Sequence, residues 1–366
     1  MKLHISEKLY TDHLHDIHTE NQLFEAFLRI VNRASLLLKR FRNKAATLVF
    51  AGRQLHFQLS CGLAALFFLA GGATAQGTPV KSFPIRGGTQ PFAITMGEDG
   101  NFWFTLSNSN EVARLTPPPQ GRIDYFTTPT LSEPAFITPG PDGNIWFAEG
   151  SASRIASVTR DGIITEYQFS FFGVSVGITT GSDGNIWFTD QTDHAVWRFD
   201  LSSGRFTESR TPTPNSFPGD ITTGSDGNMW FTEQAVDKFA RVTPNGLITE
   251  FTGVNAPGSI AAGPDGNLWI TSAFTSEIAR VNPTTLAITT FPTPSTPTII
   301  RPGNGNYLLF TEFSANKIAS ITIDGVVAES QEFPGSAPVG ITAGVGSRVW
   351  FLGVGTNRVY ETVAPH

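Results

Sequence analysis

The sequence is poor in cysteine and in charge, and each shortage excludes a class of protein. Cys61 is the single cysteine, so the chain forms no intramolecular disulfide. Residues 1–75 hold 9 Lys+Arg and 5 Asp+Glu, which leaves 16 and 26 for the remainder and a net charge of −10 there. Because such a surface repels polyanions, we expect no nucleic-acid partner and no attraction to anionic lipid.

Long apolar runs are also missing. The run Leu59–Ala70 has about 12 residues, fewer than the roughly 20 that span a bilayer. Arg53 precedes it, and the small residues Ala-Thr-Ala at 73–75 follow it. Residues 51–75 are therefore interpreted as a signal peptide, which predicts a secreted or periplasmic protein with no membrane association after cleavage. The alternative is an uncleaved anchor.

Residues 1–50 precede this signal, where no extension is expected. Apolar residues at helical spacing between 23 and 31, followed by a basic cluster at 39–44, are typical of an amphipathic helix. The preferred hypothesis is a misplaced start site, with translation beginning near Val49. A peptide from residues 1–48 in the intact precursor would contradict it.

The rest of the chain repeats one short sequence motif, here called the repeat word. Variants of Gly-x-Asp-Gly-Asn-x-Trp-Phe-Thr-Glu recur about every 41 residues. A period of roughly 40–45 residues is typical of a β-propeller. Seven copies predict an all-β, seven-bladed β-propeller over residues 78–366, and departures between copies are where function is sought. The copies are Gly97–Thr105, Gly140–Glu149, Gly181–Asp190, Gly224–Glu233, Gly263–Thr271, Gly303–Glu312 and Gly344–Phe351.

Each repeat shows four strand signals. In residues 218–252, Gly219–Thr223 and Asn228–Glu233 flank an Asp-Gly turn. Lys238–Thr243 alternates apolar and polar residues, and Leu247–Thr252 follows a Pro-Asn-Gly turn. Four strands per repeat make a propeller blade.

The two ends of the repeat region complement each other. The last repeat has a third strand at Arg358–Val363 but no fourth, whereas Val80–Pro84 resembles a fourth strand without a blade. We therefore predict that Val80–Pro84 completes the last blade and closes the ring, leaving no free edge for aggregation. We also expect a monomer.

The recurrent Asp and Trp residues have structural interpretations. Each Asp-Gly turn offers one carboxylate, whereas a calcium loop needs several. A large aromatic residue at a fixed blade position fills the space between neighbouring sheets. We therefore expect turns and core at these positions.

The repeat word, followed by Ile-Ala-Arg-Val-like and Ile-Thr-Glu-Phe-like strands, resembles the streptogramin B lyase (virginiamycin B lyase) family over about 290 residues. The resemblance implies a propeller that opens a cyclic depsipeptide antibiotic by elimination. It also implies Mg²⁺ as cofactor, with histidine and glutamate side chains on the late blades. In such chemistry a base removes a proton next to a carbonyl, and the metal stabilises the enolate charge.

This chain departs from the family pattern at those late blades. The family histidine follows a proline at the start of an inner strand, but Thr298 and Val339 stand at the two late positions. Ala337 stands where a glutamate is expected, and the last blade reads Trp-Phe-Leu-Gly-Val over 350–354, without a glutamate near its end. Residues after 75 include two histidines, His194 and His366.

Carboxylates end several second strands: Glu149, Asp190, Glu233 and Glu312. Equivalent positions lie at one height around the axis, so one hypothesis is that these acids converge on a shared mouth. The preferred interpretation is a set of separate solvated or hydrogen-bonded strand ends.

Two further groups are candidate site residues. His194 is the one neutral-pH base beside carboxylates in this region, in a cluster with Asp190 and Asp193. Phe171 and Phe172 lie in a Phe-rich loop. One interpretation is that this loop lines an apolar mouth, with Glu149 as a further ligand contact, and the other is that neighbouring residues cover the loop. No metal ligand is assigned.

Three functions remain open. The first is a secreted propeller that binds a small molecule or peptide at its mouth without the family chemistry. The second is a Mg²⁺-dependent carbon–oxygen lyase with a rearranged site of Asp190, His194, Glu233 and Glu312. The third is a lactonase-like hydrolase with a divalent cation in the axial channel.

Overall fold

The computed structural model describes residues 49–50, 53–54, 80–170, 173–272 and 274–365. The chain forms two compact units, Met1–Ala75 and Gln76–His366. In the first unit the structure describes one antiparallel pair, β1 (Val49–Phe50) and β2 (Arg53–Gln54). The interpretations of residues 1–50 and 51–75 otherwise lie outside the described residues. Within the part of the chain that is described, no helix has the length and apolar character to cross a membrane.

The second unit consists of seven four-stranded antiparallel sheets, as predicted. Its irregular connections include two 3-10 turns, Ser107–Ser109 and Phe313–Ala315. From inner to outer strand, the sheets are β4–β7 (Pro91–Met96, Phe102–Leu106, Glu111–Leu115, Ile123–Thr127), β8–β11 (Pro134–Pro139, Ile145–Glu149, Arg154–Val158, Ile164–Gln168), β12–β15 (Ser175–Thr180, Ile186–Asp190, Ala195–Asp200, Arg205–Arg210), β16–β19 (Pro218–Thr223, Met229–Glu233, Lys238–Val242, Ile248–Phe251), β20–β23 (Pro257–Ala262, Leu268–Ser272, Glu277–Val281, Ile288–Pro292), β24–β27 (Ile300–Pro302, Tyr307–Glu312, Lys317–Thr322, Val327–Glu329) and β28–β30 with β3 (Pro338–Ala343, Arg348–Gly353, Arg358–Val363, Lys81–Pro84).

The sheets are the blades of a closed ring. Each inner strand contacts the inner strand of the next blade, and β28 of blade 7 contacts β4 of blade 1. The inner strands therefore surround a central axis. The prediction of an all-β, seven-bladed propeller is confirmed.

Blade 7 takes its outer strand from the beginning of the unit. β3 pairs antiparallel with β30, with Lys81 opposite Glu361 and Pro84 opposite Arg358. Nearby, the Asn357 side chain donates to the Ile85 carbonyl at 3.0 Å. That this strand holds the ring closed remains a prediction.

The repeat word builds the turn between the first two strands of each blade. In blade 4 the Asp226 carboxylate accepts the Asn228 backbone N–H at 3.2 Å and the Trp230 indole N–H at 3.0 Å. Trp230 is fully buried, and a Cβ on Gly224 would lie 2.6 Å from its ring. The same Asp-to-indole bond occurs in blades 1, 2, 3 and 5. These carboxylates are therefore engaged by their own turns.

The threonine of the repeat word joins neighbouring blades. Thr189 Oγ1 accepts the Gly177 N–H at 2.9 Å within blade 3 and donates to the Gly219 carbonyl of blade 4 at 2.6 Å. Thr232 and Thr271 make the corresponding bond to the next blade. Because all three are fully buried, each satisfies backbone groups that an apolar residue would leave unpaired.

Candidate functional site

The four predicted carboxylates all end second strands, and all four are buried. Glu149, Asp190, Glu233 and Glu312 are the last residues of β9, β13, β17 and β25, each with 0% exposure. A carboxylate that is withdrawn from water needs hydrogen bonds or a cation, or it becomes protonated. Their surroundings therefore decide their chemistry.

In blade 2, Glu149 lies beside an ion pair of its own blade. Arg154 of β10 and Glu166 of β11 approach to 3.7 Å. Glu166 also accepts hydrogen bonds from the N–H and the hydroxyl of Thr130, in the loop that enters the blade. Burial, and then the negative charge of Glu166, raises the pKa of Glu149 to about 8. Glu149 is therefore a neutral acid at pH 7.

Blade 4 repeats this arrangement. Lys238 and Glu250 form an ion pair of 2.7 Å, and Glu250 accepts the Thr213 N–H at 2.7 Å. Burial, and then the charge of Glu250, raises the pKa of Glu233 to about 7. As in blade 2, a threonine of the entering loop donates to the Glu of the fourth strand, and that Glu pairs with the basic residue of the third strand.

Blade 6 contains the third copy. Lys317 and Glu329 approach to 2.7 Å. Burial, and then a hydrogen bond shared with Glu329, raises the pKa of Glu312 to about 7. Together the three arrangements define the carboxyl clamps: a buried Glu at the end of the second strand, a basic residue on the third and a Glu on the fourth.

Asp190 has a different environment. Its Oδ1 accepts the backbone N–H groups of Val174, Thr192 and Asp193 at 2.9–3.3 Å. Burial raises the pKa of Asp190. The carboxylate therefore holds two loops in place. His194, at φ 51°, ends one of them, and its ring lies 5.1 Å from the ring of Phe217.

The predicted site residues do not form one constellation among the described residues. Within the part of the chain that the structure describes, no hydrogen bond, ion pair or ring contact joins any two of Glu149, Asp190, His194, Glu233 and Glu312. Nor do the described residues include a group of three or more His, Cys, Asp or Glu positioned to hold a metal ion. The five predicted site residues therefore do not form a set of ligands that fits Mg²⁺.

The Phe-rich loop is described in part. Phe171 and Phe172 lie outside the described residues. Phe169, just before them, lies in the core, with its ring centroid 4.7 Å from that of Phe188.

The late-blade positions singled out in the sequence carry no ionisable side chain. Thr298 donates its backbone N–H to the Thr311 carbonyl at 2.8 Å. Ala337 has φ 45° at the entry to blade 7, and Pro338 pairs with Gly353. Val339 is the second residue of β28. None of these side chains is a base that accepts a proton from a substrate near neutral pH.

A polar cluster that sequence reasoning missed lies at the central axis. We call Asp220, Ser259 and Arg301 the axial trio; they come from the inner strands of blades 4, 5 and 6. Arg301 Nη1 donates to Asp220 Oδ2 at 2.8 Å and to Ser259 Oγ at 3.0 Å. Ser259 Oγ donates to Asp220 Oδ2 at 2.6 Å.

Apolar residues of other inner strands lie near the trio. The Arg301 guanidinium lies 5.2 Å from the ring centroid of Phe136 of blade 2, and the rings of Phe92 and Phe136 are 5.1 Å apart. Val176 and Ile299 pack against the same apolar cluster. The axis therefore presents an aromatic surface beside one buried ion pair.

Comparison with known proteins gives related propellers. The profile of the Virginiamycin B lyase family matches residues 78–255 and 252–364. Virginiamycin B lyase from Staphylococcus aureus is 30% identical, with a TM-score of 0.73 over 78% of this chain and 99% of that chain. A streptogramin B lyase structure is 31% identical, with a TM-score of 0.73 over 77% and 96% of the two chains.

A third structure bears on catalysis. It is a catalytically inactive histidine-to-alanine variant of the S. aureus enzyme with quinupristin, 29% identical, with a TM-score of 0.72 over 78% of this chain and 99% of that chain. A search of curated protein sequences found no match.

Proposed function

Since this chain belongs to the virginiamycin B lyase family, we propose that it is a binding propeller of that family that does not carry out the elimination reaction. The observation that carries the proposal is the chemistry of the late blades. Thr298 and Val339 stand where the family pattern has histidine, and the S. aureus relative with a histidine replaced by alanine is catalytically inactive.

The physical reason is the missing base. Elimination next to a carbonyl needs a group that accepts a proton near neutral pH and touches the substrate. The side chains of Thr298, Ala337, Val339 and Gly353 offer none. Glu149, Glu233 and Glu312 are fully buried, each beside the third and fourth strands of its own blade, and burial raises their pKa values. This placement does not favour a rearranged lyase site.

The ligand is a small molecule or a peptide at the axial mouth, the end of the ring where the inner strands begin. Half-buried apolar side chains lie there beside a polar trio, and a few oriented polar groups in an apolar surround are the usual composition of a ligand site. Phe92, Val176 and Val339 supply apolar surface, and Arg301 supplies hydrogen-bond donors.

Quinupristin tests the absence of elimination. The protein is incubated with quinupristin and Mg²⁺, and the linear product is measured by mass spectrometry, with the S. aureus lyase as positive control. We expect no linear product above the rate without protein, because no base reaches the substrate. Linear product that disappears on adding EDTA would overturn the proposal. In that case, loss of the linear product in Asp190→Asn or His194→Ala would locate the base. A hydrolysed lactone, in contrast, would indicate the hydrolase alternative.

The protein is further proposed to be exported and monomeric. The support is the apolar segment 59–70 with its small-residue site, together with a propeller whose blades pair within one chain. We expect the mature protein to begin at Gln76 and to elute in light scattering as one chain. An exported protein that still contains Cys61 would contradict cleavage at this site.

A further inference from the structure

The axial trio is a place where the chain departs from its own repeat. Arg301 pairs with Leu309, as inner-strand residues of other blades pair with the repeat tryptophan. The equivalent residues in the other blades are Thr95, Thr138, Thr179, Thr222, Ala261 and Thr342. A fold that accepts threonine here in five blades does not require arginine. The substitution therefore needs a reason of its own.

The Asp220 carboxylate holds the Arg301 guanidinium in place. Its acceptor positions are already occupied by hydrogen bonds, so none is left for a ligand. Its Oδ1 accepts the Ile221 N–H at 3.0 Å and its Oδ2 accepts the Ile260 N–H at 3.2 Å. Ser259 and Arg301 supply further donors. The carboxylate is 4% exposed, whereas the Arg301 side chain is 26% exposed. Of this ion pair, Arg301 is the member that reaches solvent.

Arg301 keeps one edge of its guanidinium available. A guanidinium has five N–H donors in a planar fork. The hydrogen bonds of Arg301 to described residues all use Nη1 and one side of Nη2, toward Asp220, Ser259 and the Ile300 carbonyl. The remaining donors are Nε–H and the outer N–H of Nη2. These point in parallel and match the two oxygens of a carboxylate.

Aromatic side chains lie beside the guanidinium. Its Cζ atom lies 5.2 Å from the ring centroid of Phe136, and Phe92 makes an edge contact with Phe136. A ligand bound to Arg301 therefore has aromatic surface within reach. Because Asp220 already balances the arginine charge, geometry and apolar contact decide the binding rather than net charge.

We propose that Arg301 is the anchor of the ligand at the axial mouth, where its Nε–Nη2 edge binds the carboxylate of an amphipathic acid whose apolar body lies on Phe92 and Phe136. This inference rests on the proposed binding function and names its ligand class. Asp220 and Ser259 are positioning residues, since they hold the fork in one orientation. A carboxylate next to an apolar group occurs both in a small aryl or acyl acid and at the C-terminus of a peptide.

The test is binding of N-acetylphenylalanine and its uncharged amide, measured by NMR titration on the full chain. We expect the acid to bind at least 10-fold more tightly than the amide. A free tetrapeptide acid ending in phenylalanine distinguishes the sources: tighter binding than the small acid identifies a peptide end, and equal or weaker binding identifies a small acid. Binding of neither acid would overturn the anchor.

Matched variants separate ligand binding from stability. Arg301→Lys keeps the charge but loses the fork, and we expect at least a 10-fold loss of acid affinity with the amide unaffected. The double variant Asp220→Ala/Arg301→Thr copies Ala93 and Thr95 of blade 1, so it leaves no unpaired buried charge and should fold. Exposed Arg122→Lys is the control and should bind as the parent does.

The outcomes also separate this inference from the proposed function. If Arg301→Lys and the double variant bind the acid as the parent does, the trio only joins blades and the anchor is wrong. If linear quinupristin product forms while Arg301→Lys still weakens acid binding, the proposal of a non-catalytic propeller fails and the anchor stands.

Discussion

Deleting residues 78–86 will lower the melting temperature of the propeller by about 10 °C or more, or prevent folding. The deletion removes β3 and leaves blade 7 with three strands and an unpaired edge at β30. It also removes Ile85, which is 5% exposed, and Phe83, whose ring stacks 5.7 Å from that of Trp350. Loss of side chains of this kind costs about 5 kcal/mol in sum, and each kcal/mol shifts the melting temperature by roughly 2 °C in a domain of this size.

Two single variants give the scale of this effect. Phe83→Ala keeps the chain length and should cost about 2–3 kcal/mol, because the ring is half-buried against Trp350. Lys81→Ala, with a half-exposed side chain beside Glu361, should cost less than about 1 kcal/mol. Calorimetry measures all three. A deletion variant that melts like the parent would refute closure by this strand.

Raising the pH from 5 to 9 will lower the free energy of unfolding by several kcal/mol. Burial raises the pKa of Glu149 to about 8, and of Glu233 and Glu312 to about 7, from an ordinary 4.5. The folded chain therefore holds protons that the unfolded chain releases. Their stabilising contribution is complete below about pH 4.5 and is lost as the pH rises through 7–8. The effect is on the order of 2 kcal/mol per carboxyl.

The opposite slope is expected in acid. The Lys238 and Lys317 hydrogen bonds hold the pKa of Glu250 and of Glu329 below the usual range. Their contribution is present above the unfolded value near 4.5 and is lost as the pH falls through the lowered folded value. Stability should therefore be greatest near pH 5, between the two effects.

Glutamine variants isolate the three buried acids. Glutamine has the shape of a neutral carboxylic acid, so Glu149→Gln, Glu233→Gln and Glu312→Gln together should preserve the fold and flatten the alkaline slope. The exposed Glu332→Gln is the matched control and should leave the slope unchanged. Urea unfolding at pH 5, 7 and 9 measures the difference. A triple variant with the parent's pH profile would show that these acids are ionised in the folded chain.

The distances in sequence explain why part of the site escaped prediction. The repeat identifies strand ends such as Glu149 and Glu312, but equivalent height around the axis does not show which groups surround each acid. In the structure the partners of each acid are the third and fourth strands of its own blade, such as Arg154 and Glu166. The axial contact between Asp220 and Arg301 spans 81 residues. A comparison of inner-strand positions across the repeats would have singled out Arg301 among threonines.

The sequence by itself determined the blades, because a blade is made by contacts within about 40 residues: an Asp-Gly turn, an Asp226-to-Trp230 bond and alternating strands. Repetition of that local chemistry then fixed their number. Only the tertiary structure decided which side chains meet across the ring. Asp220, Ser259 and Arg301 touch because the inner strands of three blades curve around one axis. In the carboxyl clamps, burial raises the pKa of the second-strand Glu.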